Sequence, residues 1–376
     1  MRRAIPLTAS ISALTVLLAA CGGASGGNDS SAVADPAGIA AAEAYLASVS
    51  ENPSDIGLTV PLSKKPDPGI YIIRLQSGEP VAKLESDAMA AAAQVLGWRF
   101  GTVSVAPNAE GPQQALQSAI AKKPDGISFS GAPSSAFGAA TIQAAADAGI
   151  ALLGDTVVED PAGPIISTSV DNATQVANWG KMVAAQFVVN SKGLGHGATF
   201  TLSEYPILVA WQEAIKKSVD EWCPACKLTE IDSQASDIGT KLPASVVSTF
   251  QRDPSLKYAM FSIGDMTLGL TPAMQAAGLT DVEVSGETPN EGNIEAIRAG
   301  TEAGWTGFPV YILGWRVIDM WARHFNGDDL APAEKALLPL QMITPDNIDS
   351  VELNDAGYYV GVSGYEDEFK KLWLVN

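Results

Sequence analysis

Gly126-Ile-Ser-Phe-Ser130, the Ala-rich stretch Ser135 to Ala148, Gly149 and Ile150-Ala-Leu-Leu153 decide the fold. The first apolar run reads as a buried strand and the stretch after it as a helix. Gly149 suits the left-handed stop of that helix, and a second buried strand follows. Two strands joined through a helix of this length lie parallel, with a right-handed crossover.

The same rhythm extends in both directions. Upstream are strand Ile70 to Leu75, helix Lys83 to Leu96, strand Arg99 to Val105 and helix Gln113 to Lys122. Downstream are strand Ile165 to Ser169 and helix Ala173 to Asn190. A second series follows, with strands at Ala198 to Leu202, Lys227 to Ile231, Tyr258 to Ile263 and Val282 to Ser285. Helices at Ile207 to Trp222, Leu242 to Arg252, Thr267 to Ala277 and Gly292 to Ala299 separate them. The pattern predicts an α/β protein with two Rossmann-like lobes built on parallel sheets. Ligands of such lobes sit at the carboxyl ends of the strands, so facing lobes place a site in the cleft between them. An Ala-rich helix at Ala37 to Ser50, read as a spacer or packing helix, precedes a Pro/Lys linker, Pro61 to Pro68.

The chain has 376 residues, 23 Lys and Arg against 42 Asp and Glu, and a formal charge of −19. An acidic surface repels phosphate backbones, which argues against nucleic acid as a partner. Two histidines and three cysteines leave little for catalytic triads or zinc sites. Neither a Gly-x-Ser-x-Gly elbow nor a phosphate loop ending in Gly-Lys-Ser/Thr occurs. Gly193-Leu-Gly-His-Gly197 precedes a strand instead of following one, so it reads as a turn. The composition predicts a binder, not an enzyme, with no cofactor and no metal.

Arg2, Arg3, the apolar run from Ile5 to Ala20 and Leu18-Ala19-Ala20-Cys21 form an export signal. Small residues before a cysteine resemble the lipobox of bacterial lipoproteins, in which Cys21 becomes the acylated N-terminus; an ordinary signal peptide is the alternative. Residues 1–20 are then the signal peptide and residues 21–68 the lipidated tether, helix and linker. The expected location is the extracytoplasmic face of a bacterial cell membrane, held by the lipid alone. In that oxidising setting Cys223 and Cys226 read first as a disulfide clipping the turn after a helix. Free thiols, or redox or metal chemistry, are the alternatives.

Several motifs carry a family resemblance in order: Lys123-Pro-Asp-Gly-Ile-Ser128, Ala145 to Asp155, Asp171-Asn172, Ile263 to Gly269 with Ala276-Ala-Gly278, and Ile343-Thr-Pro-Asp-Asn-Ile348. Together they resemble type I periplasmic solute-binding proteins, in particular the sugar-binding branch related to ribose-binding protein. The resemblance implies three crossings of the chain between lobes. It assigns residues 69–168 with 308–340 to the N-terminal lobe, and 169–307 with 341–376 to the C-terminal lobe. It also implies closure around one small ligand and delivery to the permease of an ABC importer, by a monomer. A ligand-sensing lipoprotein that shows its closed form to a membrane receptor is the alternative; a hydrolase or redox lipoprotein is a distant third.

Strand ends supply the candidate ligand contacts: Glu79, Ser134, Asp155, Asp171, Tyr205, Asp265, Glu287, Thr288 and Phe308. For Asp171 and Asp265, capping a helix competes with touching ligand. Tyr205 divides between cleft and lobe packing, and Glu287 between ligand and solvent. Trp211, Trp315 and Trp321 lie at helical spacing and read as core. Against the ribose-binding pattern the contact set is altered. The expected arginine falls near Ile207, an asparagine is Gly264, an aspartate is Thr288, a glutamine is Gly307, and an aromatic pair is Val81 and Ala82. The expectation is that these glycines create room, with Glu79 and Glu287 as acidic contacts and Tyr205, Trp305, Phe308 and Tyr311 as aromatic ones. The ligand is then larger or less hydroxylated than a pentose, with a cationic or aromatic part.

Overall fold

The computed structural model describes residues 33–375. Cys21 and the export signal lie outside them. The first sheet holds β1 (Tyr71–Gln76), β2 (Arg99–Ser104), β3 (Gly126–Ser130), β4 (Ala151–Asp155) and β5 (Ile165–Val170). Its strands are parallel, in the order β2-β1-β3-β4-β5. The second holds β6 (His196–Leu202), β7 (Lys227–Ser233), β8 (Tyr258–Phe261), β9 (Glu283–Glu287), β10 (Gly304–Thr306) and β11 (Met342–Ile343). It runs β11-β10-β9-β8-β6-β7, with only β11 antiparallel. Strand order thus reverses between β1 and β3 in one lobe and between β6 and β8 in the other. Those are the points where a doubly wound sheet opens a crevice for ligand.

Buried strands explain the apolar runs. Ile72, Ile73, Ile127, Leu152 and Leu153 are all buried in the first sheet, as are Ala198, Phe200, Ala259 and Phe261 in the second. Trp211, Trp315 and Trp321 are core residues, each almost fully buried. The expected helix over Ser135 to Ala148 is broken at Gly138, whose φ of 73° separates a short 3-10 turn from helix Ala139–Asp147. Cys223 and Cys226 form a disulfide on the turn after helix Pro206–Trp222.

The chain ends differ from the assignment by lobes. Helix Tyr365–Leu372 packs on helix Val310–Asn326 of the first lobe, not on the second sheet. The cause is aromatic: the Trp315 and Trp373 rings stack 5.2 Å apart, and the Trp373 indole donates to buried Asp319 at 2.8 Å. At the other end, helix Pro36–Ser48 packs on helices Ala173–Asn190 and Pro206–Trp222 of the second lobe. Gly38 permits the contact, since a Cβ there would fall 2.0 Å from the Trp222 carbonyl oxygen. The following segment then joins the first lobe. Buried Arg316 and Arg323 each donate to one of its carbonyls, Ile56 and Val60, at 2.6 Å. The Leu62 amide donates to Leu372 at 2.8 Å. The chain therefore passes between lobes at both ends as well as at the three crossings the resemblance implies.

Candidate functional site

Three prolines aim the cleft. Pro80 and Pro206 each open the helix that follows the first strand of a lobe, and Pro309 precedes helix Val310–Asn326. A residue before proline is held out of the helical region. Glu79 (φ −68°, ψ 141°) and Tyr205 (φ −112°, ψ 100°) are accordingly extended and project between the lobes. There the Tyr205 hydroxyl donates to Glu79 Oε1 at 2.6 Å, and the Val81 amide donates to Asp265 Oδ2 at 3.1 Å. Gly131 completes the contact; a Cβ on it would lie 2.9 Å from the Tyr205 ring. The lobes are thus joined across the cleft.

Behind this seam lies a cavity of about 100 Å³. Its wall is largely apolar, with Val81, Ile207, Ile263, Phe308, Val310 and Leu313. Glu79 and Tyr205 also line a second, larger space of about 700 Å³, together with Val105, Pro107, Phe129, Ala132 and Leu268.

Charge in the cavity is unbalanced. Arg74 is buried on β1 and bonded through both terminal nitrogens to Asp155, with Nη2 also 2.5 Å from Glu85. Burial is the largest influence on Glu85 and, with the Asp155 charge, pushes its carboxyl up to about 8 against the pull of Arg74. Across the cavity, burial pushes Asp171 up to about 7, although the Trp179 indole donates to it at 3.2 Å. Burial, with repulsion from Asp171, raises Glu287 well above the usual carboxylate range. Glu287 is only 3% exposed, and its Oε2 has no hydrogen-bond partner.

Backbone strain collects here as well. Thr156, Asp171 and Thr288 have φ of 55°, 53° and 55°, a left-handed conformation costly for residues other than glycine, and all three line the cavity.

Of the expected contacts, Glu79, Asp171, Tyr205, Glu287, Thr288 and Phe308 line this cavity. Asp265 lies just outside it, facing a smaller recess shared with Tyr311 and Tyr358. Two residues belong elsewhere. Asp155 is completely buried beneath the floor as the partner of Arg74. Ser134 faces Glu159, which accepts from both its amide and its hydroxyl. Neither aspartate caps a helix: Asn172 fills that role for helix Ala173–Asn190, and Asp265 accepts from the opposite lobe. Tyr205 serves both cleft and lobe contact.

The glycines do not create room. A Cβ on Gly264 would meet Asn293 Oδ1 at 2.5 Å and the Thr288 carbonyl at 2.6 Å, and one on Gly307 would meet the Tyr359 ring at 2.8 Å. Neighbouring backbone and side chains have filled the space. Trp305 is likewise core, donating from its indole to Glu302 at 2.6 Å. Sequence reasoning missed Arg74, Glu85 and Thr156. The signal for Arg74 was available: an arginine inside the apolar run Ile70 to Leu75 must find buried anions.

Among the described residues no group of three or more His, Cys, Asp and Glu is placed to hold a metal ion. The sequence model of the periplasmic binding protein domain matches residues 70–329. Several solved structures share the fold. The 5-methylthioribose transporter solute-binding protein of Thermotoga lettingae, in complex with 5-methylthioribose, is 15% identical with a TM-score of 0.68, over 85% of this chain and 100% of that one. An ABC transporter solute-binding protein of Agrobacterium vitis with bound allitol is 19% identical with a TM-score of 0.65, over 75% and 97%. An ABC transporter solute-binding protein of Mycobacterium smegmatis with bound glycerol is 16% identical with a TM-score of 0.64, over 78% and 99%. No curated protein matches the chain.

Proposed function

Since this chain belongs to the family built on the periplasmic binding protein domain, we propose that it is the solute-capturing subunit of an ABC importer. It works as a monomer at the outer face of a bacterial membrane, held there by lipid on Cys21. It traps one small molecule between its lobes by hinge closure and presents the closed form to the permease. The observation that carries this reading is the cavity at the strand ends of both sheets, lined by residues of both lobes and bridged by the Tyr205–Glu79 hydrogen bond.

The relatives with bound 5-methylthioribose and allitol support a ligand related to sugars. The aliphatic wall around Ile207, Ile263 and Leu313 supports one with fewer hydroxyls than ribose, because each buried hydroxyl needs a partner that such a wall lacks. Mass spectrometry of small molecules carried through purification identifies the ligand. Small-angle scattering with and without it then reads closure; an unchanged profile with ligand verifiably bound refutes the mechanism. Replacing Cys21 by alanine releases the protein from membranes if the lipid is its anchor.

A further inference from the structure

We propose that the ligand carries a cationic amine, whose ammonium group binds against Glu287 and Asp171 while an apolar body lies on the aliphatic wall. The inference rests on the reading of the cleft as a solute-capture site and names the chemistry that site selects.

The first argument is the distribution of charge. Arg74 is the one cation among the described residues lining the cavity, and it is committed on both terminal nitrogens to Asp155 and on one to Glu85. It has no fork left for a carboxylate or phosphate. The remaining charged or titratable groups at the wall are Glu79, Glu85, Asp171, Tyr205 and Glu287, all acids. No cation at the wall is left to pair with an anionic ligand.

The second argument is an unsatisfied acceptor. Glu287 is almost fully buried, lines the cavity, and leaves Oε2 without a partner. Buried polar atoms are rarely left so, because the desolvation is uncompensated. A donor arriving with the ligand supplies what is missing. The third is the wall itself: Phe308 and the aliphatic side chains lie beside the acids and offer apolar surface for the body of a ligand whose charged end meets the carboxyls.

Burial favours the protonated form of both carboxyls. When the ammonium binds, it retains its own proton, and a carboxyl that ionises to pair with it releases one to solvent. Binding therefore liberates protons.

The test uses the full chain and two matched panels: butylamine, 2-phenylethylamine and glucosamine against butanol, 2-phenylethanol and glucose. Ribose and allitol are added as polyols. At least one amine should raise the melting temperature and bind ten times or more tighter than its uncharged partner. Calorimetry at pH 7 should give different apparent enthalpies in phosphate and Tris, reporting proton release. Glu287→Gln should weaken the amine at least tenfold. Should that variant not fold, Asp171→Asn with the same two-buffer calorimetry replaces it. Alcohols or polyols that bind as well as the amines, or a panel in which no amine raises the melting temperature, overturn the inference. A polyol that compacts the protein when every amine fails refutes the amine and leaves solute capture standing. A verified bound solute without compaction refutes capture itself.

Discussion

Tyr205→Phe isolates the seam between the lobes. The substitution keeps the ring that packs on Gly131 and deletes only the hydroxyl that donates to Glu79 at 2.6 Å. Hydrogen bonds to charged groups contribute about 1.5–3 kcal/mol. Both side chains are half-buried, and Glu79 regains water when the cleft opens, so the lower end applies. A loss of about 1.5 kcal/mol raises the open-to-closed ratio roughly tenfold. The Val81–Asp265 hydrogen bond remains and keeps the closed form populated. Spin labels at exposed Lys122 and Lys217, one on each lobe, read the two populations as a bimodal distance distribution. Cys21 is changed to serine to avoid labelling it. A ratio unchanged within twofold would refute the view that this hydrogen bond holds the lobes together. Adding Asp265→Ala, which removes the acceptor for the Val81 amide, should move the ratio further in the same direction.

Three further outcomes follow from packing and charge. Trp373→Ala should cost about 3–5 kcal/mol in denaturant unfolding, because it removes a fully buried ring and the donor to Asp319. Gly264→Asn, which restores the residue the ribose-binding pattern expects, should lower stability by about 1–3 kcal/mol without conferring ribose binding, read by urea titration and calorimetry. Asp171 and Glu302 are each pushed up to about 7 by burial, so the folded state holds their protons more tightly than the unfolded chain. Their contribution to stability is complete below about pH 4 and drains away as pH rises to about 7. Urea midpoints should therefore fall between pH 5 and pH 8, and Asp171→Asn should flatten part of that slope; a midpoint that rises across this window contradicts the assignment.

The rhythm of strands and helices was legible because each buried strand is a continuous apolar run and each helix is long. Helices Ala173–Asn190 and Leu242–Arg252 have the bounds their patterns predict. Strands β10 and β11 were not legible: three residues and two residues carry no periodicity, and Trp305 is strand only because β9 and β11 flank it. The placement of helix Tyr365–Leu372 depends on Trp315, some fifty residues away, which no local pattern encodes. In the cleft, strand ends pointed to Glu79, Tyr205 and Phe308 on local grounds. Asp155 misled because the same rule marks any acid at a strand end, whereas its side chain turns inward to an arginine on β1, two strands away across β3. The glycines misled because an absent side chain reads as a gap until Tyr359 and Asn293, from distant segments, are seen to occupy it.

The segment after helix Pro36–Ser48 assigns the two lobes unequal mechanical roles. Residues 49 and 50 are bonded to the second lobe through Met342 and Asn347, and residues 56 to 62 to the first. Relative rotation must be taken up in the few residues between. The helix itself rides with the second lobe, and thirteen residues separate Cys21 from Asp35, a leash of at most about 50 Å. If Cys21 carries the proposed lipid, the tether reaches the second lobe first, and the first lobe is the one that would swing freely about a captured solute.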